Sequence, residues 1–367
     1  MTNSPLFTPF TLGTLDLPNR IVMAPMTRYR AAEDGTPLPV VADYYAQRAG
    51  AGLLITEGIW PSRAGQAGWR LPGLETPEHV RGWRAVTEAV HAAGGRIYAQ
   101  LMHGGRHGHP LSRLDGDLPA GPSPVPLPDR VHIRDGGKAD APVPRAMTVD
   151  EIRRAVSDHV AAARNAIDAG FDGVELHGAN SYLIHQFLAD NTNLRDDAYG
   201  RGSVADRIRF PLEVITAVAD AIGPGRTALR LSPGNPQEGM VERDPGPVYR
   251  RLVTEVNRLG LGYLHLIDDD HYPAFADLLP LWDGPVIANI GENRAPTDKA
   301  GGEDVIRRGV ADLVSYGRSF IANPDLPERL AAGLPLNEID AAHLYTHGAR
   351  GYTDYPVHRA PAGAVRS

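Results

Sequence analysis

Apolar and polar positions along the chain alternate between two patterns. Short apolar runs occur at Ile21 to Met26, Gly52 to Ile59, Arg96 to Met102, Gly173 to Leu176, Thr227 to Leu231, Tyr263 to Ile267, Pro285 to Ile290 and Asp312 to Tyr316. Runs this short and this continuous predict strands covered on both faces. Longer stretches with helical spacing separate them, and two carry clear start signals. Thr76-Pro77-Glu78 precedes Val80 to Ala92, and the capping box Thr148-Val149-Asp150-Glu151 precedes Ile152 to Ala169. Asp206 to Ala221, Pro247 to Leu259 and Gly302 to Arg308 read as further helices, each closing near a glycine. Eight strand-helix alternations with doubly covered strands predict an α/β fold, a closed parallel (β/α)8 TIM barrel spanning 1–367 as a single domain. An open doubly wound sheet is the alternative.

Such an open sheet would be expected to carry a dinucleotide fingerprint. The one Gly-x-Gly-x-x-Ala match, Gly200-Arg201-Gly202-Ser203-Val204-Ala205, follows the polar Asn193-Leu194-Arg195-Asp196-Asp197 and not a strand. It therefore lacks the strand-fed turn that cradles a pyrophosphate. The alternation is broken from Gly104 to Arg145, a stretch rich in Pro, Gly, Asp and Arg. Within it Val131 to Arg134 and Ala139 to Val143, around Asp135-Gly136-Gly137, have the pattern of a hairpin. Because the stretch leaves the C-terminal end of the third strand, 104–147 is expected to form a cap over the active site.

With 42% hydrophobic and 22% charged residues, the chain has ample material for a core. Its formal charge of -7 is spread along the sequence, so no basic stripe points to nucleic acid. The absence of cysteine removes disulfides, thiolate catalysis and sulfur-ligated clusters, so any redox chemistry needs a bound cofactor. Met1 to Phe10 lacks the basic-then-apolar pattern of a leader, and no apolar stretch approaches the ~20 residues of a membrane span. The expectation is a cytoplasmic protein without a membrane partner, a monomer or homo-oligomer.

The chemistry gathers at predicted strand ends. His177-Gly178-Ala179-Asn180-Ser181-Tyr182 follows the fourth strand and brings together an imidazole, a carboxamide and a phenol. The first two can donate to one oxygen, and the phenol can supply a proton nearby. A packing histidine and tyrosine is the plain alternative. The other strand ends offer Pro25-Met26-Thr27, Glu57-Gly58, Gln100, Arg230, Asn289-Ile290-Gly291 and Tyr316-Gly317-Arg318. Arg230 lies inside Leu229 to Leu231, where a guanidinium needs an electron-rich partner. Glycines and an arginine after strands seven and eight are the phosphate site of this fold. Taken together these residues describe a planar polar heterocycle with a phosphate tail, and FMN fits that description. Two clusters are set aside: Asp268-Asp269-Asp270-His271-Tyr272 reads as a solvated loop, and His103, His107 and His109 lack the ligand set of a zinc cage, so no metal is expected.

Asn19-Arg20-Ile21-Val22-Met23-Ala24-Pro25-Met26-Thr27-Arg28, Ala99-Gln100-Leu101, His177-Gly178-Ala179-Asn180, Tyr182 to Leu188, Asn193, Arg195, Tyr199-Gly200 and Gly317-Arg318 through Asn323-Pro324-Asp325-Leu326 together resemble the old yellow enzyme family of flavin-dependent ene-reductases. The resemblance spans nearly the whole chain in order. It implies that Thr27 binds the flavin O4, that Gln100 and Arg230 bind its pyrimidine ring, and that Gly291, Gly317 and Arg318 hold the phosphate. Pro25, Met26 and Gly58 would shape the isoalloxazine bed. His177 and Asn180 would bind the oxygen of an enone or related activated alkene, Tyr182 would protonate Cα, and Tyr352 would line the substrate pocket. NADPH or NADH would reduce the flavin in a ping-pong cycle. Two departures stand out: Tyr29 looks like the branch with cysteine where this chain has Thr27, and Met102 replaces a tryptophan common in the family. The alternatives are a non-flavin barrel enzyme acting on a phosphorylated metabolite, which would lack a strand-end Schiff-base lysine here, and a catalytically silent flavoprotein.

Overall fold

A computed structural model describes residues 4–268, 270–291 and 296–358. Each of the eight predicted runs falls on a barrel strand, the fourth strand continuing past its run through His177 and Gly178: β1 Ile21–Met23, β2 Leu53–Ile55, β3 Ile97–Leu101, β4 Gly173–Gly178, β5 Thr227–Leu231, β6 Leu264–Ile267, β7 Val286–Asn289 and β8 Leu313–Tyr316. The strands pair in parallel and in sequence order, and β8 pairs with β1 to close the barrel. The open-sheet alternative is thereby overturned. The Gly200 to Ala205 match lies on a loop and the start of the helix Val204–Ile222, whose first turn is capped by Ser203.

Successive side chains of a strand point to opposite faces, and here the two faces build separate clusters. Val22, Leu53, Ile55, Tyr98, Ala228, Tyr263, Ile287 and Leu313 meet inside the barrel, together with Leu12 and Leu17. Leu12 and Leu17 belong to the hairpin of Phe10–Leu12 and Leu15–Leu17, which plugs the end where the strands begin. The alternate residues, among them Ile21, Leu54, Val174, Leu229 and Leu264, pack outward in the main core cluster with residues of the helix layer. Above the apolar floor the interior turns polar, with Gln100, Glu175, Arg230, His265 and Ser315 all buried.

The predicted helices are found at Pro77–Ala92, Val149–Asp168, Val204–Ile222, Pro245–Asn257 and Lys299–Arg307. Thr148 accepts from the Glu151 backbone N–H at 3.2 Å, and the Glu151 carboxylate accepts from the Thr148 N–H at 2.8 Å, completing the box read from sequence. Shorter helices such as Leu183–Leu188 and Arg318–Ala322, of six and five residues, escaped the periodicity because they are too short for a helical repeat to show.

In the 104–147 excursion the hairpin forms between Arg130–His132 and Lys138–Asp140. Its root is held by Gln186, whose Nε2 donates to Gly104 O at 3.0 Å and whose Oε1 accepts from the Arg106 N–H at 3.0 Å. A side chain at Gly105, which has φ +61°, would put Cβ 2.2 Å from the Gln186 Oε1, so glycine is required there. Asn193 donates to Phe187 O and Tyr199 O at 2.9 Å each, and Arg195 donates to Pro122 O at 3.1 Å. These motif residues brace the loop after β4 against the excursion.

Of the acidic stretch at 268–272, Asp269 lies outside the described residues, and Tyr272 donates its hydroxyl to Asp277. The Nδ1 atoms of His103 and His109 accept from the Gly105 and Leu111 N–H groups, while His107 Nε2 meets Ser181 Oγ at 2.7 Å. Among the described residues no three His, Asp or Glu side chains come together as metal ligands, and no helix is long and apolar enough to cross a membrane.

Candidate functional site

Strand β4 ends in a sharp turn that aims its chemistry. Asn180 and Ser181 both have left-handed backbones, φ +53° and +64°, a conformation costly for residues other than glycine and concentrated at functional sites. The turn is held on all sides. The Asn180 N–H donates to Ser232 Oγ at 3.0 Å, the Ser181 N–H to His185 Nδ1 at 3.1 Å, and the Gln186 amide to Ser181 O at 2.6 Å. Tyr182 thus lands between two imidazoles, with ring centroids 4.9 Å from His177 and 4.7 Å from His107.

Strand register sets the rest. His177 on β4 lies beside Arg230 on β5, Glu175 beside Gln100 on β3, and Arg230 beside His265 on β6. Arg230 Nη2 donates to Asn289 Oδ1 at 2.8 Å. Two buried polar atoms of this group, Arg230 Nε and His177 Nδ1, have no hydrogen-bond partner among the described residues. Buried polar groups are almost always satisfied, so this pair marks a place where a polar ligand belongs. Pro25, Met26, Thr27, Asn180 and Tyr182 are half-buried around the same mouth.

The phosphate grip assigned from sequence lies where β7 and β8 end side by side. Gly291 follows β7, Gly317 caps the helix Arg318–Ala322, and Arg318 is exposed in its first turn. A Cβ at Gly317 would meet only Met26 and Ala24 atoms at 3.7 Å or more, leaving its backbone approachable. Gly58 has a different reason to be glycine, since a Cβ there would fall 2.4 Å from Met102 Sδ.

Electrostatics fix the protonation states. Burial, then the neighbouring Arg230, holds the His177 imidazolium form well below the usual histidine range, so the ring is neutral. Burial, with Glu238 and Tyr345 adding to it, pushes the Tyr182 phenol up to about 12, so it keeps its proton at neutral pH. Burial also lowers Arg230, against the pull of Glu175 and Tyr263, but an arginine stays cationic in proteins. The mouth therefore offers a cation and an amide to a planar heterocycle, two neutral donors to an oxygen, and a protonated phenol.

One residue sits elsewhere than expected. Tyr352 is fully buried, stacked on Tyr44 with centroids 3.9 Å apart and planes 7° apart, beneath the Arg30 guanidinium at 4.5 Å. The aromatic that this segment brings to the mouth is Tyr345, 53% exposed and edge-on to Tyr29 at 5.7 Å. Two arginines create the arrangement. Arg30 donates to the carbonyls of His343, Leu344, Gly348 and Arg350, and Arg28 donates to Leu344 O and Gly351 O. The chain is thereby folded so that Tyr352 turns inward and Tyr345 outward. His132 of the hairpin completes the rim, 6.1 Å from Tyr29 and 6.0 Å from Tyr345. Nothing in the side-chain pattern of Tyr345 marked it, and its signal lies in backbone carbonyls captured by distant arginines. The two tyrosines are expected to separate on mutation. Tyr352→Ala should cost about 3–5 kcal/mol of stability as a buried aromatic truncation. Tyr345→Ala should stay within about 0.5 kcal/mol of wild type yet change KM for the alkene. Thermal melts and steady-state kinetics on both variants check this; a large stability loss for Tyr345→Ala would place that ring in the core.

The sequence matches the profile of the NADH:flavin oxidoreductase / NADH oxidase family over residues 5–337. It is 39% identical over 380 residues to a 12-oxophytodienoate reductase of Oryza sativa subsp. japonica, covering 96% of this chain and 94% of the relative. Its fold superposes with a TM-score of 0.91 on morphinone reductase in complex with tetrahydroNAD, at 42% identity and 97% and 98% coverage. An old yellow enzyme homologue from Zymomonas mobilis gives the same TM-score, 0.91, at 39% identity and 96% and 99% coverage.

Proposed function

The chain belongs to the NADH:flavin oxidoreductase / NADH oxidase family, the old yellow enzymes, and from that premise we propose how its residues divide the work of reducing an activated alkene. It is an FMN-dependent ene-reductase that draws its electrons from a reduced nicotinamide, which removes the non-flavin alternative. When bound, FMN carries a hydride from the nicotinamide to Cβ of the alkene.

Gln100 and Arg230 would hold the pyrimidine ring, Thr27 would bind its O4 carbonyl, and Pro25, Met26 and Gly58 would shape the ring bed. Gly291, Gly317 and Arg318 grip the phosphate. The orphaned Arg230 Nε is the observation that carries this assignment, because a buried guanidinium atom without a protein partner is aimed at something electron-rich. His177 and Asn180 hold the carbonyl oxygen of the alkene, drawing charge away from Cβ. Neutral His177 donates without adding a full charge to the site. Tyr182, protonated and wedged between two imidazoles, delivers a proton to Cα. NADPH or NADH and the alkene enter by the same mouth in turn, and 104–147 acts as its cap, with His132 on the rim. Tyr29 and Met102 belong to one small apolar cluster with Tyr182, so both departures from the family pattern act on substrate orientation at the proton donor.

FMN titration into flavin-free protein tests the assignment. The wild type should bind tightly and turn yellow, and Arg230→Met should bind about 10–100-fold more weakly, the size of one lost charge-assisted hydrogen bond. Equal affinity would move the cofactor away from Arg230.

A further inference from the structure

A carboxylate sits fully buried inside the barrel, between the apolar floor and the cofactor mouth, and the chemistry described so far does not use it. Glu175 lies in the otherwise apolar run of β4. It accepts three hydrogen bonds: from Gln100 Nε2 at 2.8 Å, from the Tyr263 hydroxyl at 3.1 Å and from His265 Nδ1 at 2.8 Å. His265 Nε2 in turn meets Ser315 Oγ at 2.9 Å. Burial alone would raise the Glu175 pKa, but His265, Arg230 and Gln100 hold it below the usual carboxylate range, so it is ionised. Burial keeps His265 below its own usual range despite Glu175, so that ring is neutral, donating through Nδ1. The net charge in the network is therefore one carboxylate set against one cation, Arg230.

An ionised carboxylate only accepts. Gln100 must therefore turn its NH2 group toward Glu175 and its carbonyl oxygen away. We propose that Glu175 is a positioning residue for the cofactor: it fixes which end of the Gln100 amide faces the flavin and offsets part of the Arg230 charge there. This rests on the assignment of Gln100 and Arg230 to the pyrimidine edge. The reduced cofactor carries more negative charge than the oxidised one, so the field of Arg230 favours reduction, and the Glu175 charge moderates it. The residue would keep the flavin reducible by nicotinamide without making it reluctant to give the hydride up.

The test is the midpoint potential of the FMN-loaded enzyme and its FMN affinity, in two variants of opposite sign. Glu175→Gln removes the negative charge, so the potential should become more positive. Its amide nitrogen, facing Gln100, also turns the Gln100 amide over, so FMN should bind more weakly. Tyr263→Phe keeps the ring beside Tyr98 but removes one donor to the carboxylate. The Glu175 charge is then less neutralised, and the potential should become more negative. A residue that merely supports the fold would shift both variants the same way or neither, and either result overturns the proposal. Should Glu175→Gln fail to fold, the sign of the Tyr263→Phe shift alone decides. If Arg230→Met retains wild-type FMN affinity, the site assignment itself fails; if it weakens binding while Glu175→Gln leaves the potential unmoved, only this inference does.

Discussion

Tyr182→Phe is expected to slow reoxidation of the reduced enzyme by an enone by about 10²–10⁴-fold, the usual contribution of a positioned general acid, while reduction by NADPH stays near the wild-type rate. The separation follows from the chemistry assigned to the phenol, which is needed only when Cα takes a proton, after the nicotinamide has left. Removing one hydroxyl from a ring held between His177 and His107 leaves the packing intact. Nitroalkenes sharpen the test, since their anion can leave and be protonated by water, and they should reoxidise the variant quickly. Because burial pushes the phenol up to about 12, the wild-type oxidative rate should stay flat through neutral and mildly alkaline pH. Anaerobic stopped-flow absorbance resolves each half-reaction. Three rates falling together would mean that Tyr182 only packs, and unchanged enone turnover would make water the acid.

The second large effect concerns the oxygen-binding pair. His177→Ala and Asn180→Ala should each lower enone reduction by about 10²–10³-fold, by comparison with the loss of one oxyanion-hole donor. The double variant should lose less than the product of the two, because both donors act on one oxygen. FMN affinity should change far less than turnover. Matching losses in both would show that the β4 turn is structural. Asn180→Gly is an informative companion: it relieves the left-handed backbone at φ +53° while deleting the donor, so stability and activity should move in opposite directions.

How much of this could be read from the chain alone differs by feature. The barrel was legible because every strand is covered on both faces, so each appears as a short, mostly apolar run. The mouth was legible where chemistry follows a strand end directly, as with His177, Asn180, Gln100 and Arg230. Tyr345 was not, because its placement depends on Arg28 and Arg30 reaching backbone carbonyls some 300 positions away in sequence, as in the 316-residue separation of Arg28 from Leu344. Side-chain patterning carries no record of captured carbonyls, so the pattern points instead to Tyr352, seven residues further along the same segment. Glu175 left a trace as a lone carboxylate in an apolar strand. Its meaning depends on register, which aligns it with Gln100 on one neighbour and brings His265 of β6 and Tyr263 just before that strand within reach.

In the proposed function one barrel mouth holds the flavin by Gln100 and Arg230 and the alkene's oxygen by His177 and Asn180. A crystal structure of the FMN-loaded enzyme with an unreactive carbonyl ligand tests it most directly. The ligand oxygen should lie within hydrogen-bonding distance of both His177 and Asn180, with the pyrimidine edge of the flavin against Gln100 and Arg230. A ligand oxygen held by other side chains, or a flavin whose pyrimidine edge lies away from Arg230, would contradict it.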